Sequence, residues 1–174
     1  MRPWFALAAC DADFLTTAPH RYAYPIDLPV PAERVWADLA SETPLSWCRM
    51  LGRITWTSPP PHGIGATRTV PVGVSVPFGG PVVLKERYFR WDEGQRRHSF
   101  AVEQASVPAL HRFAEDYLVE ETAAGCRLTW TFAFEPKPWA GSAVRLARPA
   151  VERLFTSFER DTVRHYDSVV SPGR

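Results

Sequence analysis

The 174-residue chain is poor in the features that mark several large function classes. It carries no excess charge of either sign: 20 basic and 19 acidic residues leave a formal net charge of +1, spread along the chain. Nucleic-acid binding needs a basic footprint, so that class is excluded as a partner. Cysteine is scarce and odd in number. Cys10, Cys48 and Cys126 are far apart, with no CxxC pair and no His at ligand spacing, which argues against a disulfide framework and a structural zinc site. No metal and no cofactor are expected, and a reducing, cytoplasmic setting fits. No apolar run approaches the roughly 20 residues of a membrane span, so stable membrane insertion is not expected. Leu7-Ala8-Ala9-Cys10 has the residue types of a lipoprotein cleavage site, but its apolar lead-in is too short and only Arg2 supplies positive charge, so it is not read as one. The chain also lacks GxSxG, a P-loop, HExxH and a GxGxxG between strand and helix, which removes support for hydrolase, nucleotide-binding and metalloprotease readings.

Aromatic residues are abundant, with seven Trp, ten Phe and five Tyr among 45% hydrophobic residues. At this length one domain with a sizeable core is expected. Residues 1–20 show no clear period and read as an arm that packs on a domain spanning 21–170. From Tyr22 to Val30 alternate residues are apolar, although Pro25 and Pro29 confine the segment to an edge or irregular strand. Val35, Trp36 and Leu39 then recur at helical spacing, and a second short helix is predicted over Pro44–Met50, ending at Gly52.

From Gly52 the pattern is of strands separated by short turns: GRITWTS, GATRTVPV, VVLKERYFRW, RRHSFAVEQ, RFAEDYLVEE and CRLTWTFAFE. This order predicts a meander. After Ser142, Val144, Ala147, Val151, Leu154, Phe155, Phe158, Thr162 and Tyr166 mark one face of a long helix, with Ser142 as N-cap, a kink or break at Pro149 and a stop at Pro172-Gly173. The predicted fold is therefore α+β: a curved antiparallel sheet wrapped around a long C-terminal helix, with two short helices after the first strand. Residues facing the helix leave a cavity between sheet and helix.

A two-residue turn at Ala123-Ala124 fixes the pairing of the last two strands. It sets Thr122 opposite Gly125, Val119 opposite Leu128, Tyr117 opposite Trp130, Glu115 opposite Phe132 and Phe113 opposite Phe134. One face is then aromatic and apolar except for Glu115. The same arithmetic across Asp92–Gln95 puts Trp91 near Arg96, Phe89 near His98 and Arg87 near Phe100. A carboxyl aimed at an apolar face must find a partner among Arg87, His98, His111 and Tyr117, or keep a proton.

The segments PAERVWADLA, GIGATRTV, ERYFRWDEGQRRHSF and DYLVEETAAGCRLTWTFAFEPK resemble the corresponding pieces of the SRPBCC superfamily, particularly its START-like polyketide cyclase/dehydrase branch. The resemblance covers about residues 22–168 and rests on strand patterns and turn glycines. It implies the helix-grip fold and a deep hydrophobic pocket used by different members for lipids, sterols, polyketides or plant hormones, some as enzymes and many as binders. The expected function is binding of a small hydrophobic, aromatic or polyketide-like molecule, by a monomer or homodimer. Arg87, Phe89, Phe100, Phe113, Trp130, Phe132, Phe155 and Phe158 are the candidate lining residues. The alternative is a metal-free cyclase or dehydratase with acid/base chemistry from Glu115, His98 and Tyr117. The loop Val76–Pro81 is the candidate lid.

Overall fold

The computed structural model describes residues 2–76 and 80–170, and the side chains of these except at 75, 76, 80 and 81. The candidate lid and the Pro172-Gly173 stop fall on or beside residues outside that set. Phe5–Ala6 (β1) and Phe14–Thr17 (α1) lie within the first 20 residues. His20–Leu28 (β2) leads into Ala32–Leu39 (α2), and the strands Thr55–Trp56 (β3), Thr67–Val76 (β4), Gly80–Asp92 (β5), Arg97–Ala105 (β6), Leu110–Thr122 (β7) and Gly125–Pro136 (β8) follow. A short 3-10 turn, Pro138–Ala140, precedes the helix Gly141–Val170 (α3).

The described sheet has eight strands in the order β2-β8-β7-β6-β5-β4-β3, every pairing antiparallel, with β1 added against β6. The long C-terminal helix lies across its concave face, so the helix-grip arrangement is what the chain adopts. β7 and β8 pair in the register set by the Ala123-Ala124 turn, from Thr122 opposite Gly125 to Phe113 opposite Phe134. Gly125 makes the turn possible. Its φ is +146° and a Cβ there would lie 2.2 Å from the Leu28 carbonyl oxygen.

Two expectations about local structure are corrected. Pro44–Met50 forms consecutive turns rather than a second helix, with Cys48 N donating to Leu45 O and Leu51 N to Cys48 O. Leu45 sits at φ +55°, which interrupts any helical run. The second correction is to β5 and β6. Their loop runs on through Arg96, so Trp91 pairs with His98, and an irregularity between Tyr88 and Arg90 adds one residue to β5. Side chains alternate across a strand, so this extra residue decides which of them face the helix. Tyr88 and Glu86 turn inward, and Arg87 and Phe89 turn outward.

α3 runs from Gly141 to Val170 with Pro149 inside it, so no separate first segment forms. Its C-terminal half is tied down by the Pro44–Met50 turns and by α2. Asp161 accepts hydrogen bonds from Arg49 N (2.9 Å) and Arg49 Nε (3.1 Å), Trp47 Nε1 donates to Thr162 Oγ1 (3.1 Å), and the Trp47 indole stacks on His165. Tyr166 donates to Asp38 on α2. Among the described residues the first three turns of α3 have no such ties, and most of Ser142–Ala150 is exposed.

On the convex face, Phe14 and Leu15 of α1 bury against Ala114 and Ala133, with Phe89 packed beside them. No helix among the described residues is long and apolar enough to cross a membrane.

Candidate functional site

Between the sheet and α3 lies a cavity of about 60 Å³. Trp130, Phe132 and Tyr117 line it from the sheet and Leu154, Phe155 and Phe158 from α3, with Phe113 beside them. Leu45, Leu51 and Ile54 from the turn region, and Val70, Val72 and Leu84 from β4 and β5, complete the apolar wall. The rings pack closely: Phe132 stacks on Phe155 at 3.8 Å and Trp130 on Phe158 at 5.4 Å between centroids.

Four polar side chains also reach the cavity: Arg68, Glu86, Glu115 and Tyr117. Arg68 alternates with Val70 and Val72 on β4, and Glu86 with Leu84 and Tyr88 on β5, so both point inward. Their Cα atoms face each other across the ladder. Arg68 Nε donates to Glu86 Oε2 at 2.7 Å, and each side chain is only 2% exposed. The guanidinium lies over the Phe100 ring at 4.3 Å and the Tyr88 ring at 5.1 Å. Arg68 Nη1 is buried and has no hydrogen-bond partner among the described residues.

Glu115 Oε2 accepts hydrogen bonds from Trp130 Nε1 (2.8 Å) and Tyr117 Oη (3.3 Å). Burial, and then the nearby Glu86 carboxyl, pushes Glu115 up to about 8. Burial also raises Glu86, against the pull of Arg68. A guanidinium keeps its charge in any protein setting, and one guanidinium compensates one carboxylate. Glu86, in direct contact with Arg68, takes the negative charge, and the proton stays on Glu115. Tyr117 is raised by burial and by Glu115, so its phenol remains neutral.

The structure separates the residues expected at the site into three groups. Glu115, Tyr117, Phe113, Trp130, Phe132, Phe155 and Phe158 line the cavity. Phe100 and His98 face inward but lie behind it. Phe100 is fully buried beneath Arg68, and His98 is enclosed by the rings of Trp36, Tyr88, Trp91 and Tyr117, all within 5.2 Å. Burial, then Arg68, depresses the His98 imidazole, which is neutral and has neither ring nitrogen partnered among the described residues.

Arg87 and Phe89 are the third group, on the convex face because of the β5 irregularity. Arg87 donates to Glu103 at 2.6 Å and to the Gly65 carbonyl, and Phe89 packs beside Phe14 and Leu15 of α1. Sequence reasoning missed Arg68 and Glu86. The available signal was alternation, since each sits among apolar neighbours two residues away and opposite the other charge. Among the described residues no group of His, Cys, Asp and Glu is arranged to hold a metal ion.

The arrangement offers an apolar enclosure with one polar corner. That corner presents a free guanidinium N–H, a protonated carboxyl and a phenol, all suited to a carbonyl or hydroxyl oxygen.

Residues 19–165 match the family described as polyketide cyclase/dehydrase and lipid transport. An uncharacterized protein of Mycobacterium tuberculosis is 34% identical over 158 residues, covering 89% of each chain. Among solved structures, the Zhui aromatase/cyclase from Streptomyces superposes with a TM-score of 0.71 at 15% identity, over 87% of this chain and 96% of that one. A START superfamily protein from Mycobacterium smegmatis does so with a TM-score of 0.61 at 14% identity, over 84% and 98%.

Proposed function

Because the chain belongs to the polyketide cyclase/dehydrase and lipid transport family, within the START-like superfamily, we propose that it encloses a small, mostly apolar molecule between its sheet and α3. The observation that carries this reading is the polar corner in an otherwise apolar cavity. A core built only for stability would not bury the charged Arg68–Glu86 pair beside the Glu115 carboxyl, since each desolvated charge costs several kcal/mol before it is paired. An apolar body against Phe132 and Phe155, with one oxygen near Arg68 Nη1, satisfies both parts of the wall.

At about 60 Å³ the cavity has room for roughly four water molecules. A ring-bearing ligand needs more. The outward element able to yield is the N-terminal part of α3, which lacks the Asp161, Thr162 and His165 ties of the C-terminal half. Ligand entry therefore displaces Leu154 and Phe155 first.

Native mass spectrometry of the protein purified from its own source tests the proposal. The expected result is a co-purified organic molecule that Val70→Phe, which fills the cavity, excludes. Absence of any adduct, together with unchanged uptake of an apolar fluorophore by Val70→Phe, overturns it.

A second reading, cyclase or dehydratase chemistry, is favoured by one observation: the Glu115 carboxyl is buried in the cavity wall beside Tyr117, where burial pushes it up to about 8. Such a carboxyl is a competent general acid for loss of water or for enolisation of a bound carbonyl. Glu115→Gln separates the two. An enzyme of this design loses turnover of a polyketide-like substrate and keeps its affinity, whereas a carrier shows no such split.

A further inference from the structure

Between Glu135 and Glu152 the chain carries Lys137, Arg145 and Arg148 and no acidic residue. Exposed apolar groups occupy the same stretch. Trp139 is 65% exposed, and Leu146, at 85%, lies on the solvent side of α3 with Ala143, Ala147 and Ala150 at i+3 and i+4 spacing. The opposite side of this segment, through Val144 and Val151, packs on the core. The first turns of α3 therefore have two apolar faces, one covered and one open, and Arg145 flanks the open one. Arg148 shares its charge with Glu152, and Arg145 reaches only Ser142.

We propose that Lys137–Ala150 is a docking foot for an anionic lipid bilayer surface, with Trp139 and Leu146 entering the headgroup boundary and Lys137 and Arg145 facing the lipid charge. An exposed indole and an exposed branched aliphatic on one basic segment suit an interface that is apolar on one side and negatively charged on the other. The charge pattern selects this partner over a second copy of the chain, which would set the same cations against each other. The foot leads directly into the cavity wall, ending four residues before Leu154 and five before Phe155. It needs no cavity ligand, so it stands or falls separately from the proposed function.

Co-sedimentation of the full chain with vesicles tests it, using phosphatidylcholine alone and phosphatidylcholine mixed with phosphatidylglycerol. The expected result is binding only to the mixed vesicles, weakened by salt. Arg145→Gln should weaken it about fivefold, the effect of one lost cation. Trp139→Ser with Leu146→Ser should weaken it by at least tenfold. All three positions are exposed, and unchanged circular dichroism of each variant shows that folding is intact. Equal binding to both vesicle types, no binding to either, or variants that sediment like the parent overturn the proposal. So does a concentration-dependent dimer that Leu146→Ser dissolves, since the open face is then covered by a second copy.

Discussion

Replacing Glu115 with Gln offers the sharpest test of the site's electrostatics, because the substitution is nearly isosteric with the protonated acid. The Gln carbonyl oxygen still accepts from Trp130 Nε1 and Tyr117 Oη, as Glu115 Oε2 does. What changes is the titration. In the folded protein Glu115 is raised to about 8 from its ordinary 4.5, chiefly by burial. Below pH 4.5 both folded and unfolded chains carry the proton, and the group is neutral with respect to stability. Between 4.5 and about 8 only the folded chain holds it, so folding takes up a proton and the parent loses stability as pH rises. The loss is about 1.4 kcal/mol per pH unit, or about 3 kcal/mol near pH 7 for this group alone. Glu115→Gln removes that term. The variant should match the parent near pH 4.5 and exceed it by an amount that grows to a few kcal/mol by pH 8. Denaturant unfolding of both proteins across that range, with the difference taken at each pH, reads the effect directly. A flat difference, or a variant less stable than the parent at pH 7, would mean that Glu115 is ionised and compensated by Arg68, and the assignment of the proton would fail.

Other consequences can be checked in the same way. Arg68→Met strands the Glu86 carboxylate in an apolar wall and should cost about 3–5 kcal/mol in chemical denaturation, whereas Arg68→Met with Glu86→Leu should recover most of it. Phe155→Ala removes the ring stacked on Phe132 and should lower stability by about 3–5 kcal/mol while tightening binding of bulky apolar fluorophores, as measured by thermal unfolding and titration. Asp161→Ala leaves the Arg49 amide without its acceptor; a loss of about 1–3 kcal/mol is expected, with earlier hydrogen exchange in the Pro44–Met50 turns. Gly125→Ala sets a Cβ against the Leu28 carbonyl and should destabilise by about 2 kcal/mol or more, seen as a lower midpoint of thermal unfolding.

Sequence pattern was enough for the succession of strands from Thr55 to Pro136, the β7–β8 register and the long apolar face of α3. These follow from local rules. A two-residue turn leaves a hairpin one pairing, and strand and helix periods sort Tyr117, Trp130 and Phe132 from Asp116 and Thr131 without reference to the rest of the chain. The inward aim of Glu115 was legible for the same reason. Its Trp130 partner stood in the predicted register, although only the side-chain geometry revealed the bond.

The Arg68–Glu86 half of the polar corner came only from the packing of β4 against β5. An arginine or glutamate on a strand reads as solvent-facing, because an isolated buried charge is too costly to assume. Arg68 and Glu86 escape that rule only because β4 and β5 bring them face to face, a pairing of residues 18 positions apart. The extra residue near Phe89 was equally invisible, since an irregular strand has no local composition to announce it. That one residue moved Arg87 and Phe89 to the convex face and let Tyr88 and Glu86 turn inward with Arg68. The period of a strand is two, so a single inserted residue reverses every assignment beyond it, and no count along the chain can show where the insertion falls.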